Sequence, residues 1–322
     1  MPSLDWGLDV LQEYRPALTA QPDFDDFWAR TLAEARAHDL APELTPIATP
    51  LQGVRAERLT YAGFGGQRIS GLYLRPAAAD GPLPVVLCYH GYGGGAELLH
   101  AYLPWLLLGC AVVAVDARGQ AGATGEEAGY TGGAVGGWMT NGILDPAGYY
   151  FRRVYADCIR AVDFACGRSE LDPTRLVATG GSQGGGLTIA VAGLDARIAY
   201  AMPDVPFLCH FERAVNISPA GPYVEVAAYC AKYPDSVEQV FRTLSYHDGL
   251  NFAARINPAS RHLWSVGLWD DVCPPSTVYA AYNACPASAK EMAIYPYNKH
   301  EGGGQAQRAR QIDWLAAALA EG

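Results

Sequence analysis

A Gly-x-Ser-x-Gly motif at residues 180–184 contains the side chain with the clearest potential for covalent chemistry, Ser182. The motif follows a short apolar run at residues 175–178, and an apolar run from Leu187 onward predicts a helix after it. A strand, a sharp turn and a helix around such a motif form a nucleophile elbow. The turn strains the serine backbone and leaves no room for side chains at Gly180 and Gly184. We therefore predict that Ser182 is a nucleophile; the alternative is a turn whose serine only caps a helix.

A serine hydroxyl needs a base to take its proton and an acid to orient that base. In elbow-type folds the acid follows the nucleophile along the chain, and the histidine follows the acid. His300 is the only histidine beyond Asp270 and Asp271, and it comes after the last predicted strand. Either aspartate could be the acid. We favour Asp270, the first residue after its strand, and expect Asp271 to face solvent or to cap the following turn.

Two backbone N–H groups are candidates for binding an oxyanion. Gln183 follows the nucleophile at a predicted helix N-terminus. Tyr92 lies in the glycine-rich run at residues 90–95, directly after a buried strand, where this kind of fold places its second donor. The alternative for this run is a flexible loop, and no Lys-Ser/Thr pair follows to indicate a phosphate loop. We expect Tyr92, Pro206 and Phe207, which are bulky or rigid, to close the acyl side of the site.

The predicted elements bring these residues to one edge of a sheet. Two runs, 54–61 and 68–75, predict a hairpin across the glycine-rich turn at 63–66. Further apolar runs alternate with helical segments and favour buried strands at residues 85–89, 111–116, 175–178, 197–202, 262–268 and 290–295. That alternation is typical of an α/β fold with a largely parallel sheet flanked by helices.

One domain is predicted over residues 1–322, with two additions to the strand–helix pattern. Residues 1–50 form an N-terminal helical extension, and its proline-rich segment 41–50 is predicted to be a connector. Residues 204–258 are rich in proline and aromatic residues, and we predict that they form a cap insertion over the site. Residues 121–148 contain nine glycines and predict a long loop, a wall or lid at the catalytic edge.

Composition excludes several classes of protein. The net charge is −10 and there is no basic run, which argues against nucleic-acid binding. No apolar stretch reaches the roughly 18 residues typical of a membrane span, and residues 1–6 lack the pattern of a signal peptide. None of the eight cysteines forms a Cys-x-x-Cys motif, so we expect reduced core cysteines in a cytoplasmic protein. With no Cys/His cluster of suitable spacing, we expect no metal and no cofactor.

Several of these motifs together resemble the acetyl xylan esterase / cephalosporin-C deacetylase family, carbohydrate esterase family seven. Three signatures support the resemblance: Arg118-Gly119-Gln120, the run at 180–185 and His300-Glu301. The opening at residues 23–28, the segment 243–246 and the segment 267–277 add to it. The resemblance covers nearly the whole chain.

The resemblance implies an α/β-hydrolase fold that hydrolyses acetyl esters of sugars and cephalosporins without a metal. It also implies a cytoplasmic homo-hexamer and makes Asp270 the acid of the site. The sequence departs from the family pattern at Lys299, where Gly is common, and at His90, where an apolar residue is expected. We interpret His90 as structural.

We therefore predict a serine esterase that removes acetyl groups from small acetylated substrates, such as acetylated xylo-oligosaccharides and cephalosporin C, through an acyl-enzyme. Three alternatives remain. One is a general short-chain carboxylesterase, and another is a small serine peptidase resembling the prolyl oligopeptidase group. The third is a binding module without activity, which the presence of all three candidate catalytic residues disfavours.

Overall fold

The computed structural model describes residues 5–79 and 81–321, and across them runs one nine-stranded sheet. Residues 1–4, which bear on the expectation of no signal peptide, lie outside the described part. The strands are β1 Glu43–Pro46, β2 Val54–Ala62, β3 Arg68–Pro76, β4 Leu83–Tyr89, β5 Ala111–Val115, β6 Leu171–Gly181, β7 Ile198–Asp204, β8 Arg261–Gly267 and β9 Ala289–Tyr295.

The strands lie in the order β1-β2-β3-β5-β4-β6-β7-β8-β9. The first three are antiparallel to their neighbours, whereas β5, β4 and β6 to β9 pair in parallel. The predicted hairpin and the largely parallel sheet are therefore confirmed. Since β4, β6, β8 and β9 run in one direction, the loops after them emerge at the same edge of the sheet, where all the candidate site residues lie.

Helices cover both faces of the sheet, as the continuous apolar strands require. In β4, Val85, Leu87 and Tyr89 pack into one apolar cluster, while Val86 and Cys88 pack into another. Because successive side chains of a strand point to opposite faces, these two clusters are the two buried sides of the sheet. The helices are α1 Leu8–Glu13, α2 Phe24–Arg36, α3 Leu103–Leu107, α4 Tyr150–Cys166, α5 Gln183–Leu194, α6 Phe211–Ile217, α7 Tyr223–Lys232, α8 Val237–Ser245, α9 Gly249–Ala253, α10 Pro275–Ala284 and α11 Gly304–Ala320. No helix of the described residues is long and apolar enough to cross a bilayer.

The prediction that residues 41–50 form only a connector is wrong. Residues Glu43–Pro46 form the edge strand β1, which pairs with β2 in a register that sets Leu44 opposite Leu59. The four residues carry no alternating apolar pattern, and their burial is slight. Their strand conformation comes from the free edge of β2, which a sequence pattern does not reveal.

The N-terminal segment packs against the end of segment 204–258. Trp28 of α2 is buried and donates its indole N–H to the carbonyl of Tyr246 at 2.8 Å. Its ring lies edge-on against Phe252, with centroids 5.3 Å apart. The side chain of Asn251 accepts hydrogen bonds from the N–H groups of Thr19 and Ala20. Part of the apolar face of α2 is therefore covered by residues that come more than two hundred positions later in the chain.

A buried ion pair fixes the loop after β5. Arg118 binds Asp157 of α4 with two hydrogen bonds of 2.7 and 2.8 Å, and both side chains are only 2% exposed. The same guanidinium donates to the side chain of Gln67 and to the carbonyl of Phe64. Arg118 thus ties this loop to a helix and to the turn between β2 and β3.

We expect Arg118→Ala to lower the free energy of unfolding by about 3–5 kcal/mol, because it leaves the Asp157 carboxylate buried without its partner. The measurement is chemical denaturation of both proteins. Arg310→Ala is the control, since Arg310 and Glu291 form an ion pair whose side chains are 47% and 54% exposed. Such exposed pairs contribute about 0–1 kcal/mol. Equal losses in the two variants would contradict the structural importance of the buried pair.

Candidate active site

Ser182 lies in the sharp turn between β6 and α5, with φ 56° and ψ −118°. This positive φ is a strained conformation for a residue with a side chain. Main-chain hydrogen bonds hold it: the Ser182 N–H donates to Asp204 at 3.0 Å, and its carbonyl accepts from Phe207 at 2.9 Å. A Cβ at Gly180 or Gly184 would lie 2.3 or 2.1 Å from the Tyr89 carbonyl oxygen. The steric reason predicted for these two glycines is therefore confirmed.

The structure brings Ser182, His300 and Asp270 into one hydrogen-bonded series. The Ser182 Oγ lies 2.9 Å from Nε2 of His300, and Nδ1 of His300 lies 2.8 Å from Oδ2 of Asp270. A carboxylate only accepts, so Nδ1 carries the proton and Nε2 is free to accept from the serine hydroxyl. The Asp270 side chain is 1% exposed and that of His300 is 28% exposed.

Backbone groups hold the Asp270 carboxylate in place. Its Oδ1 accepts from the N–H groups of Val272 and Cys273 at 2.9 and 2.8 Å, which leaves Oδ2 for His300. These donors belong to the turn that leads from β8 into α10. The turn therefore orients the acid before any substrate binds.

Asp271 points away from this series. Its carboxylate lies 2.9 Å from Nζ of Lys299, in an ion pair at the rim of the site. We had expected Asp271 to face solvent or to cap a turn, and its ion pair with Lys299 was not predicted. Lys299, one of the two departures from the family pattern, thereby joins the loop of the acid to the loop of the histidine.

The two candidate oxyanion donors, Tyr92 and Gln183, follow the neighbouring parallel strands β4 and β6. Gln183 is the first residue of α5, where helix N–H groups have no intrahelical acceptor. Within residues 5–79 and 81–321, no protein acceptor lies in hydrogen-bond range of the Tyr92 or Gln183 N–H. Both groups are thus free to bind an oxygen atom of a substrate.

Gln120 links the elements that supply the two donors. Its Oε1 accepts from the Gly93 N–H at 2.8 Å, next to Tyr92, and its Nε2 donates to Oε1 of Gln183 at 2.8 Å. The same Nε2 lies 3.0 Å from the hydroxyl of Tyr150. In the sequence, Gln120 stood out only as the last residue of the Arg-Gly-Gln signature. Its position five residues after the buried strand β5, beyond the carboxyl end of that strand, was the signal of a role at this edge.

His90 joins the strand end before Tyr92 to the loop after β5. Its Nε2 accepts from the Ala117 N–H at 2.9 Å, so Nδ1 carries the proton and donates to the Gly91 carbonyl at 2.8 Å. Burial lowers the pKa of His90, although the hydrogen bond to Gly91 acts in the opposite direction. A neutral imidazole therefore fills the position where the family resemblance led us to expect an apolar residue.

Pro206 and Phe207 lie next to the nucleophile, as part of the turn that follows β7. A Cβ on Gly185 would lie 2.9 Å from the Pro206 Cα. The ring of Phe207 is fully buried, with its centroid 4.3 Å from that of Tyr223 and 6.1 Å from that of Tyr92. Bulky aromatic groups thus stand on this side of Ser182.

Asp270, Cys273 and His300 are the one group among the described residues whose ligand atoms could surround a metal, all within 4.8 Å of one another. The donor set fits a metal poorly. Both nitrogens of His300 are already in hydrogen bonds, and burial raises the pKa of Cys273 far above its usual value, so its sulfur is a neutral thiol.

A largely parallel sheet of this strand order, with a serine on the elbow after β6 and a histidine after the last strand, defines an α/β-hydrolase of the serine-hydrolase class. Comparison with known proteins narrows the class. The chain belongs to the acetyl xylan esterase family, a family of carboxylic ester hydrolases whose model matches residues 1–318. The predicted fold and family are therefore confirmed.

Three relatives illustrate the similarity. The acetyl xylan esterase from Paenibacillus sp. R4 is 43% identical, with a TM-score of 0.93 over 97% of this chain and 99% of that one. Acetyl xylan esterase 1 from Thermoanaerobacterium sp. is 32% identical, with a TM-score of 0.90 over 97% and 99%. Acetyl esterase Axe7A of Xylanibacter ruminicola is 29% identical over 303 residues, which are 89% of this chain and 65% of that protein. The chain thus spans about two thirds of the length of Axe7A.

We expect Asp270→Asn to lower kcat by about 10⁴-fold, because an amide favours the wrong tautomer of His300. Asp271→Asn breaks only the rim ion pair and is expected to change kcat by less than about threefold, since exposed ion pairs contribute little. Steady-state hydrolysis of nitrophenyl acetate by both variants makes the comparison. The reverse order of effects would show that Asp271 is the acid.

Proposed function

We propose that this chain is a serine esterase that removes acetyl groups from small acetylated substrates, such as acetylated xylo-oligosaccharides and cephalosporin C. The observation that supports it most is the series from Ser182 through His300 to Asp270, with hydrogen bonds of 2.9 and 2.8 Å. Membership of the acetyl xylan esterase family supports the choice of acyl group. The names of the relatives support xylan-derived substrates.

The proposed reaction has two steps through an acyl-enzyme. His300 Nε2 takes the proton of Ser182 while Oγ attacks the acetyl carbonyl, and the N–H groups of Tyr92 and Gln183 bind the oxyanion. Each such donor contributes on the order of 10²–10³ in rate in known enzymes. The ester C–O bond then breaks, and the alcohol leaves with the proton from His300. Water, deprotonated by His300, attacks the acetyl group; the bond to Ser182 Oγ breaks, Oγ takes the proton back from His300 and acetate leaves, while Asp270 keeps the imidazole oriented throughout.

We assign the acyl side of the site to Tyr92, Pro206 and Phe207. The alcohol side then opens beneath segment 204–258, which we propose as the cap of a single-domain enzyme with residues 1–50 as its extension. Part of this segment, helix α9, contacts α5 and α10 in the body of the domain. The cap proper would therefore consist mainly of α7 and α8, while α6 packs on them and also contacts α10 of the body.

The location and assembly proposed here rest on the resemblance to the family. We propose a cytoplasmic homo-hexamer that needs no metal and no cofactor. All eight cysteines are free thiols in the described chain, which suits a reducing compartment. Size-exclusion chromatography with light scattering tests the hexamer directly.

Ser182→Ala tests the proposed function. We expect the variant to fold like the wild type and to lose turnover of acetylated xylo-oligosaccharides, cephalosporin C and nitrophenyl acetate, because the nucleophile is gone. A serine-directed organophosphate should label the wild-type protein at Ser182 and leave the variant unlabelled. Labelling at another serine, or full activity of the variant, would contradict the assignment. Cleavage of aminoacyl-proline amides in preference to acetyl esters would favour a peptidase.

Acyl chain length is the second test. If Tyr92, Pro206 and Phe207 close a small acyl pocket, each added step of chain length meets overpacking that costs about 1–3 kcal/mol. We therefore expect kcat/KM to fall roughly ten- to two-hundredfold per step from nitrophenyl acetate to butyrate to octanoate. Variation of the alcohol should change kcat/KM far less. A flat or rising acyl series would indicate a general carboxylesterase.

A further inference from the structure

A carboxylate outside the catalytic series reaches one of the proposed oxyanion residues. Glu225 lies on α7, and its two carboxylate oxygens are 3.0 and 2.9 Å from the hydroxyl of Tyr92. The Tyr92 hydroxyl therefore donates a hydrogen bond to the Glu225 carboxylate. Burial raises the pKa of Glu225, while the hydrogen bond from Tyr92 acts to lower it. A hydrogen bond from a hydroxyl to a carboxylate is roughly twice as strong as one between neutral groups.

The glycine-rich loop 121–148 closes on the same pair. The N–H groups of Trp138 and Met139 both donate to the Tyr92 hydroxyl oxygen, the latter at 3.1 Å. Met139 also lies 3.1 Å from Oε2 of Glu225. The Tyr92 hydroxyl thus has two donors and one acceptor, so all of its hydrogen-bonding capacity is used.

Two glycines of the loop, Gly136 and Gly137, lie against this contact. A Cβ at Gly137 would lie 2.7 Å from the Tyr92 hydroxyl oxygen and 2.9 Å from Oε1 of Glu225. A Cβ at Gly136 would lie 2.9 Å from the Glu225 Cγ, and Gly136 has a φ of 78°. The loop therefore passes directly over the contact between Glu225 and Tyr92, and a side chain at either glycine would force that contact to shift. No helix or strand of the described residues falls within the loop, so side-chain and backbone hydrogen bonds such as these contribute to its position.

We propose that Glu225 is a positioning residue of the oxyanion hole, which holds Tyr92 by its hydroxyl. Stabilisation of the transition state then depends on the positions of the cap helix α7 and of loop 121–148. The inference rests on the proposed esterase function. Tyr92 would stabilise the oxyanion through its backbone N–H, while its side chain is held at the far end by Glu225. Its ring also meets Trp138 edge-on, with centroids 5.1 Å apart. Preorganised donors act only when they are held at the place where charge develops. If Tyr92 is held less firmly, stabilisation of the transition state should therefore suffer more than binding of the substrate.

Glu225→Gln is the central variant. The amide keeps the size of the side chain but places an NH₂ group or a weaker acceptor at a hydroxyl that already accepts two backbone N–H groups. We expect kcat for nitrophenyl acetate to fall about ten- to a hundredfold, with KM changed less than about threefold, as for loss of a transition-state interaction. Glu238→Gln is the matched control, since Glu238 is an exposed acid on α8 of the same segment. It should keep wild-type kcat and KM.

Two further variants separate an effect on the position of Tyr92 from an effect on general stability: Tyr92→Phe, and the double variant that combines it with Glu225→Gln. Tyr92→Phe removes the same hydrogen bonds without removing the carboxylate, and the double variant should lose no more kcat than the more damaged single variant. Each kcat is calculated per active site, with the concentration of active sites measured by titration with the organophosphate. Unfolded protein then does not lower the measured kcat. Affinity for an aryl trifluoromethyl ketone, which forms an oxyanion with serine, should fall in parallel with kcat/KM. Inhibition by the product nitrophenol should stay unchanged.

Two groups of results would overturn this inference. One is a Glu225→Gln variant with kcat within twofold of the wild type or with a change in KM alone. The other is additive losses in the double variant, or equal losses of affinity for the ketone and for nitrophenol. If Glu225→Gln does not fold, Tyr92→Phe decides the question by the same measurements. Failure of the proposed function is distinct, because the wild-type chain would then not hydrolyse nitrophenyl acetate or Ser182→Ala would retain the activity.

Discussion

The close approach of the serine turn to strand β4 is the contact on which the site depends. Gly180 and Gly184 both face the carbonyl oxygen of Tyr89, where a Cβ would lie within 2.3 Å. Because no side chain separates them, the turn packs directly on the strand, and Ser182 takes a positive φ that costs on the order of 1–3 kcal/mol. Hydrogen bonds to the turn after β7 offset that cost. The strained residue is therefore held by two neighbouring strands of the sheet.

Buried polar side chains extend this rigidity to the rest of the site. Gln120 binds both Gly93 and Gln183, and His90 binds the loop after β5. Arg118 then fixes that loop to the body of the domain through Asp157. Fully satisfied networks of this kind specify one arrangement, since any other leaves polar groups buried without partners. The Arg-Gly-Gln signature is thus explained by what its first and third side chains bind.

The outer layer of the site is built differently. Loop 121–148 has no regular secondary structure, and its place over the site depends on side chains from elsewhere in the chain. Glu225, Tyr92 and the N–H groups of Trp138 and Met139 form one such contact. Local stability is lower where few elements support a segment, so this layer is the part of the site most able to move during turnover.

The sequence was enough to predict the alternating strands and helices, the elbow at Ser182 and the position of His300 after the last strand. These features follow local rules: apolar periodicity, the steric need for glycine and the order of residues along the chain. It also favoured Asp270 over Asp271, although spacing left both possible. It missed β1, because this strand forms by pairing with the free edge of β2 and its own four residues carry no strand pattern.

The packing of the whole chain determines which polar groups meet. It set Asp270 against His300 and Asp271 against Lys299, because the turn after β8 binds one oxygen of Asp270 and leaves the other for the imidazole. It also brought Glu225 to Tyr92 across 133 positions of sequence. A hydrogen bond requires atoms within about 3 Å of each other. Residue type and local spacing do not encode such a distance between remote segments, whereas the packing of the whole chain does.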